Sequence, residues 1–448
     1  MKLPVTWKLT LAAVVVAALA GVLALRAYQG ALAAKPQTDL FTLDNGIRVV
    51  VFHIPESSNA SIFTFLPMGL ASDAAGQAQW SHLVEHLVLR STVPAMSPEA
   101  NAETLADHMR LDFYGTVENW QEGLSHHARW LEGVPFADAN LGAEKVAANR
   151  ECDMTARSLA THKFALAAWA QGCRHGRAHA AVKGDVERAT IEAIQKWRDE
   201  HLVVLDRTTV CIVGGLDAKA VEPIVRKTLG GIRSEAKPVE PVELNHASRQ
   251  MTWDLDARHL LLTWPIPGPD DEAHAALMAA AQWLNSSMYA DQELRKLAGM
   301  VMAGADLALP EGDFFYVSAA IRPGASFADV QARLEKKLDA LRAGGKTAGQ
   351  MAARARMLAT RLTVPTDPAK IKAHSPKHIT QAMIEGNLGL QWGMQEFRYG
   401  ALRAKLAERL KHLKAETIPQ AAQTYLAKDK RAICTLVPGA VEKKAGPR

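Results

Sequence analysis

The sequence predicts an α+β protein made of two related halves, each a sheet with helices packed on it, joined by a linker. Three observations carry that prediction. Strand-like and helix-like periodicities interleave along the chain, with hairpin-like links between strands. Residues 233–247, which include the Pro- and Glu-rich run from Ser234 to Glu243, are aperiodic and separate two such stretches. The second stretch also echoes the first. Phe314 to Ala320 followed by Phe327 to Leu341 repeats Phe113 to Thr116 followed by Trp120 to Leu131, and Cys434, in a strand ending at Gly439, repeats Cys211 and Gly214. The expected organisation is an N-terminal segment (1–34), a first α+β domain (39–232), the linker (233–247), a second α+β domain (248–438) and a disordered tail (439–448).

With 448 residues the chain is long enough for two or three domains, each with a sizeable core. An apolar content of 48% and a charged content of 22% are those of a folded protein and argue against a disordered or fibrous one. The net charge of +5 is small for this length and spread along the chain, so there is no electrostatic footprint for nucleic acid. Gly-rich phosphate loops, C-x-x-C pairs and zinc-finger spacings are absent from the sequence. Lys2 and Lys8 precede an apolar run from Leu9 to Leu25, closed by Arg26. The run is long for a signal-peptide core and just short of a comfortable membrane span, and Ala31-Leu32-Ala33 offers a cleavage site beyond it. A cleaved export signal and a retained anchor both fit. Either delivers the body across the inner membrane to the periplasm, and retention would tie it to the membrane through residues 9–25.

In chain order, Phe41 to Phe52 reads as strand, Asp44-Asn45-Gly46 turn, strand. Ala60 to Leu66 is a strand and Gly69 to Gly76 a loop. Gln77 to Thr92 has no Pro or Gly and is a helix. Ala100 to Met109 reads as a helix, Asp112 to Val117 as a strand, and Trp120 to Leu131 and Gly142 to Arg157 as helices. An amphipathic helix over Asp185 to His201 leads to a strand at Thr208 to Val213. In the second half His259 to Trp264 is a strand, Asp271 to Leu284 a helix, and Lys405 to Lys414 the solvated side of another. Trp130, Trp169, Trp197, Trp253 and Trp283 fall at core positions, whereas His126, His127, His162, His175 and His179 lie on separate elements and read mostly as surface histidines. Cys152, Cys173, Cys211 and Cys434 form no close-spaced pair, so no disulfide connectivity follows; the strand cysteines Cys211 and Cys434 suit buried free thiols.

The chemistry concentrates in His82-x-x-Glu85-His86. On a helix, positions i and i+4 share a face, so His82 and His86 present two imidazoles to one ion. Glu85 sits beside them, within reach of a water that such an ion would hold. Two imidazoles, a third ligand and an open fourth position make a catalytic zinc arrangement. A solvated polar stripe would give the same pentapeptide, and a third ligand separates the two readings. Glu144 and Glu151 lie two turns apart on a second helix-like run and share a face, so one can ligate while the other supports the site.

With these two segments the chain resembles the insulinase/pitrilysin family of inverted-motif zinc peptidases. The resemblance covers most of residues 39–438, and its specific motifs fall at 69–92, 144–151 and 286–302. It implies two homologous α+β halves, Zn²⁺ held by His82, His86 and Glu151, Glu144 as the supporting carboxylate, and Glu85 as general base in hydrolysis of an extended peptide. The separation of His86 from Glu151 is shorter than is usual in that family, which reads as a shortened intervening loop. The substrate would pair as an extra strand on the edge of the first sheet, inside a chamber closed by two halves or two subunits.

Two departures from the family pattern stand out. Leu294-Arg295 to Met302 resembles the segment in which an Arg and a Tyr bind substrate and steady the tetrahedral intermediate. Arg295 matches the Arg, but Met302 stands at the Tyr position. Methionine cannot donate a hydrogen bond to an oxyanion, and losing one such donor can cost roughly 2.7–4 kcal/mol. The resemblance then implies a hetero- or homodimer in which a related subunit supplies the Arg/Tyr pair. A solo enzyme with weakened catalysis, another donor in place of the Tyr, and a non-catalytic subunit acting in peptide binding or assembly are the competing readings. Second, Gln79-Trp80-Ser81 stands where the family has a Gly-containing lead-in, so a local change of packing ahead of the motif is expected.

Overall fold

The computed structural model describes residues 35–92, 99–157, 185–243, 246–253, 257–310 and 312–439. The apolar run 9–25, Trp169, Cys173, His162, His175 and His179 lie outside them, as does nearly all of the tail. Among the described residues no helix is long and apolar enough to cross a membrane.

The first sheet contains β1 (Gln37–Thr42), β2 (Arg48–His53), β3 (Asn59–Leu66), β4 (Ala100–Thr104), β5 (Met109–Thr116) and β6 (Thr209–Gly214), in the order β1-β2-β6-β3-β5-β4. The β1–β2 hairpin closes on the expected Asp-Asn-Gly turn, with Gly46 at φ 96, a backbone conformation that favours glycine. With the sheet go helices α1 (Trp80–Thr92), α2 (Trp120–Glu132), α3 (Asp138–Arg157), α4 (Ile191–His201) and α5 (Ala218–Leu229). The second sheet contains β7 (Arg249–Trp253), β8 (Arg258–Ile266), β9 (Ala298–Leu309), β10 (Gly312–Ile321) and β11 (Ala432–Pro438), in the order β7-β11-β8-β10-β9. The helices that follow the linker are α6 (Glu272–Tyr289), α7 (Gln292–Leu297), α8 (Phe327–Ala343), α9 (Ala348–Thr363), α10 (Pro368–Lys372), α11 (Gln381–Tyr399), α12 (Leu402–His412) and α13 (Thr417–Tyr425).

The two sheets repeat one topology. The pairs β2–β6 and β7–β11 are parallel. The pairs β6–β3, β3–β5 and β5–β4 are antiparallel. So are their counterparts β11–β8, β8–β10 and β10–β9. Helix α1 enters between the second and third strands of one set, and α6 between those of the other. Cys211 and Cys434 sit on the matching strands β6 and β11, both buried and free. The echo in the sequence is therefore an architectural repeat, with β1 added to the first sheet.

Strand alternation sorts the first sheet's apolar residues between two cores. Val49, Val51, Ile62 and Ile212 face Leu83, Val84, Leu87 and Val88 of α1 and the apolar sides of α2, α4 and α5. Val50, Phe52, Phe63, Phe65, Cys211 and Val213 face the opposite way, onto Ile384, Leu388 and Trp392 of α11. A helix that follows the linker thus covers the far face of the first sheet. The close approach relies on glycine. A Cβ at Gly389 would lie 2.4 Å from Val213 Cγ1, and one at Gly393 would lie 2.6 Å from Phe65 Cε2. Replacing Gly389 by Leu is expected to lower stability by about 1–3 kcal/mol, read as a fall in thermal midpoint.

Two expectations are corrected. Ala100 to Met109 is not a helix but strand β4, a turn and the first residue of β5. Ala100 pairs with Phe113 and Thr104 with Met109, and the alternation of Ala100 and Ala102 toward the core outweighs the helix preference of an Ala- and Glu-rich stretch. His127 is not at the surface: it is fully buried, with Nδ1 2.7 Å from Thr64 Oγ1, and burial pushes its pKa down to about 3. An imidazole in the unfolded chain titrates near 6.5, so between these values the unfolded chain binds a proton that the folded one refuses. The stabilising contribution is complete above about pH 6.5 and is lost as pH falls toward 3, at up to about 1.4 kcal/mol per pH unit. Denaturant titrations from pH 7.5 to 4.5 should show a shallower loss for His127→Asn than for the parent. Trp130, Trp197 and Trp283 are buried as expected.

Candidate metal centre

Helix α1 starts where a buried carboxylate collects its free N–H groups. Asp73, in the loop before the helix, accepts from Ser81 N at 2.9 Å, from Ser81 Oγ at 3.0 Å and from the backbone of Gln79. Burial nevertheless pushes the Asp73 carboxyl up to about 8. Asp185 Oδ2 accepts from Ala78 N at 2.8 Å. Gln79 lies in the left-handed region, at φ 67, and its carbonyl accepts the first helical bond, from Leu83 N. With Leu83, Val84, Leu87 and Val88 packed on the sheet, the other side of α1 turns His82, Glu85 and His86 toward α3 and β4, both of which pack against it.

Helix α3 brings both of its glutamates. His82 Nε2 is 3.2 Å from Glu151 Oε2, His86 Nε2 is 3.6 Å from the same oxygen, and the two Nε2 atoms are 3.2 Å apart. These three side chains offer ligand atoms close enough to hold one metal ion. The second ring nitrogens are engaged. His86 Nδ1–H donates to Glu144 Oε2 at 2.9 Å, and His82 Nδ1–H donates to Gln79 Oε1 at 3.1 Å. Each ring therefore turns its Nε2 toward the other and toward Glu151, the nitrogen that would ligate a cation held between them. Glu144, buried, also accepts from Arg90 Nε at 2.7 Å. Burial opposes a charge on His86, but Glu151, Glu85 and Glu144 outweigh it and bring His86 up to about 9. His82 and His86 in turn hold Glu151 well below the usual carboxylate range. The cluster favours positive charge.

Glu85 is 7% exposed, and one of its oxygens accepts from the Thr104 hydroxyl of β4 at 2.6 Å. The structure thus brings together His82, Glu85, His86, Glu144 and Glu151. Arg295 is not among them; exposed on α7, its guanidinium lies over the Tyr289 ring, 5.7 Å from the centroid. Met302 is on β9, an edge strand of the second sheet, opposite Ser318 of β10. Three contributors escaped the sequence reading as partners of the site. Arg90 stands four residues after His86, a spacing that could have flagged it. Thr104 was hidden by the misread helix. The backbone conformation of Gln79 left no trace in the local pattern.

Residues 188–358 match the family model described as Peptidase M16 inactive domain. That match runs from the end of the first half into α9 and does not reach the five clustered residues. No curated protein matches the chain. Among solved structures it resembles a protease from Helicobacter pylori, at 16% identity and a TM-score of 0.67, over 90% of this chain and 100% of that one. It resembles the first half of the periplasmic protease PqqL from Escherichia coli, at 15% identity and a TM-score of 0.60, over 90% and 93% of the two chains. It also resembles a peptidase M16 inactive domain from Pseudomonas fluorescens, at 16% identity and a TM-score of 0.64, over 91% and 99%. At such identities the likeness establishes the fold: a two-sheet α+β architecture shared with M16-like proteins, proteases and an inactive domain alike.

Proposed function

We propose that this chain is the metal-bearing subunit of a zinc-dependent endopeptidase acting on extended or unstructured peptides. The observation that carries the reading is the triangle of His82 Nε2, His86 Nε2 and Glu151 Oε2, with edges of 3.2, 3.2 and 3.6 Å. Ligand atoms placed tetrahedrally around zinc at its usual bond lengths are about 3.3–3.4 Å apart. Two nitrogens and a carboxylate oxygen, with both Nδ1–H groups anchored, are the donor set that zinc takes. His82, His86 and Glu151 would hold the ion, and Glu144 would keep His86 oriented. A bound zinc supplies Lewis acidity to the scissile carbonyl and acidity to a water.

The chain's own residues supply the rest. Glu85 accepts a proton as the water oxygen attacks the carbonyl carbon, and returns it to the amine nitrogen as the C–N bond breaks. Among the described residues strand β4 is an edge strand of the first sheet, and its Thr104 touches Glu85. A peptide pairing along β4 would run beside the cluster. Because Met302 provides no donor, a related subunit supplying an Arg/Tyr pair fits best. This chain resembles the first half of the periplasmic protease PqqL and spans 48% of the full-length protein, which supports a paired assembly and a periplasmic location.

The test is hydrolysis of a quenched, unstructured peptide with zinc, with chelator, and with zinc restored. Turnover that follows zinc supports the reading, and failure of the protein to take up zinc overturns it. A second reading, a non-catalytic subunit acting in peptide binding or assembly, is favoured by Met302 and by likeness to an inactive domain. Zinc uptake with no turnover, alone or with related subunits, would select it.

A further inference from the structure

We propose that Gln79 is a positioning residue for His82. It holds a disfavoured backbone conformation so that its amide can set which nitrogen of that imidazole faces the metal. The inference rests on the zinc reading for its purpose but not for its geometry.

Among the described residues Gln79 and Glu56 are the non-glycine residues with positive φ, at 67 and 66. Glu56 lies in an exposed turn, whereas Gln79 is 3% exposed at the entrance to the motif helix. In this region a Cβ crowds the backbone, and glycine is the residue without that cost. The backbone bonds of the turn need no particular side chain at this position. The Gln79 carbonyl takes the Leu83 N–H, its backbone bonds to Asp73, and the flanking Ala78 and Ser81 N–H groups go to Asp185 and Asp73. A glycine at 79 would keep every one of these bonds and lose the strain.

What the glutamine adds at the motif is a contact to the first histidine, Oε1 accepting from His82 Nδ1–H at 3.1 Å. That bond keeps a proton on Nδ1, so that Nε2 is the nitrogen that faces His86 and Glu151. His86 receives the same service from the Glu144 carboxylate. For His82 a neutral amide does it, adding no further negative charge to a cluster that already gathers Glu85, Glu144 and Glu151.

The experiment compares the parent with Gln79→Gly and Gln79→Glu, the latter keeping an acceptor at the same reach. Three readouts are taken: the thermal midpoint of the metal-free protein, the His82 tautomer in its long-range ¹H–¹⁵N spectrum, and zinc affinity by chelator competition. For Gln79→Gly the expected result is an unchanged or raised midpoint, a His82 that no longer holds its proton on Nδ1, and zinc binding weakened by about 10–100-fold. Gln79→Glu should keep the parent's tautomer and an affinity close to the parent's. Parental tautomer and affinity in Gln79→Gly would overturn the proposal. So would a lowered midpoint that accounts for both losses, since the role would then be merely structural. If the parent took up no zinc, the zinc reading would fall, and the tautomer comparison in metal-free protein would still decide this inference.

Discussion

Glu85→Gln is expected to lose peptide hydrolysis by at least about 10²–10⁴-fold while keeping its zinc and its fold. The substitution preserves shape, and the amide oxygen can still accept the Thr104 hydroxyl, which in the parent lies 2.6 Å from Glu85 Oε2. What disappears is the ability to take and return a proton. Because Glu85 is nearly buried, a replacement that left Thr104 without an acceptor would confound chemistry with folding, and Gln avoids this. Metal analysis, a melting curve and turnover of a quenched peptide, measured side by side, check it. Activity equal to the parent's would remove Glu85 from the mechanism.

Glu151→Ala is expected to lose zinc. Truncating a group that merely supports a ligand costs about 10–100-fold in metal affinity, and removing a ligand should cost more. Glu144→Gln, which keeps an acceptor for His86 Nδ1–H, should fall within that smaller range. The Glu151 side chain is 48% exposed, so its loss should change stability little, and the effect should appear in chelator competition rather than in the melting curve. Undiminished affinity in Glu151→Ala would mean that another carboxylate completes the donor set.

The two predictions draw on different kinds of legibility. His82, Glu85 and His86 could be read directly, because a four-residue spacing on a helix is a local property and the apolar residues between them announce the helix. Glu151 needed its resemblance to a known pattern, since nothing local says that α3 lies across α1. Thr104 could not be read at all. Its segment is rich in Ala and Glu and looks helical by itself, yet pairing with β5 makes it a strand and delivers its hydroxyl to Glu85. Gln79 was visible as a departure from the expected lead-in, but its left-handed backbone and its bond to His82 were not.

The sequence by itself determined the α+β class, the repeat of one half in the other, and the helix that carries the histidine pair. Periodicity and spacing are written into a few consecutive turns of chain, where neighbouring side chains decide the outcome. Only the tertiary structure decided that α11 covers the far face of the first sheet through Gly389 and Gly393. Only there does β4 become an edge strand beside Glu85, and do Gln79 and Glu144 take the two Nδ1–H groups. Those choices depend on apolar surface and hydrogen bonds contributed by residues far apart in the chain, whose sum overrides the preference of any one segment.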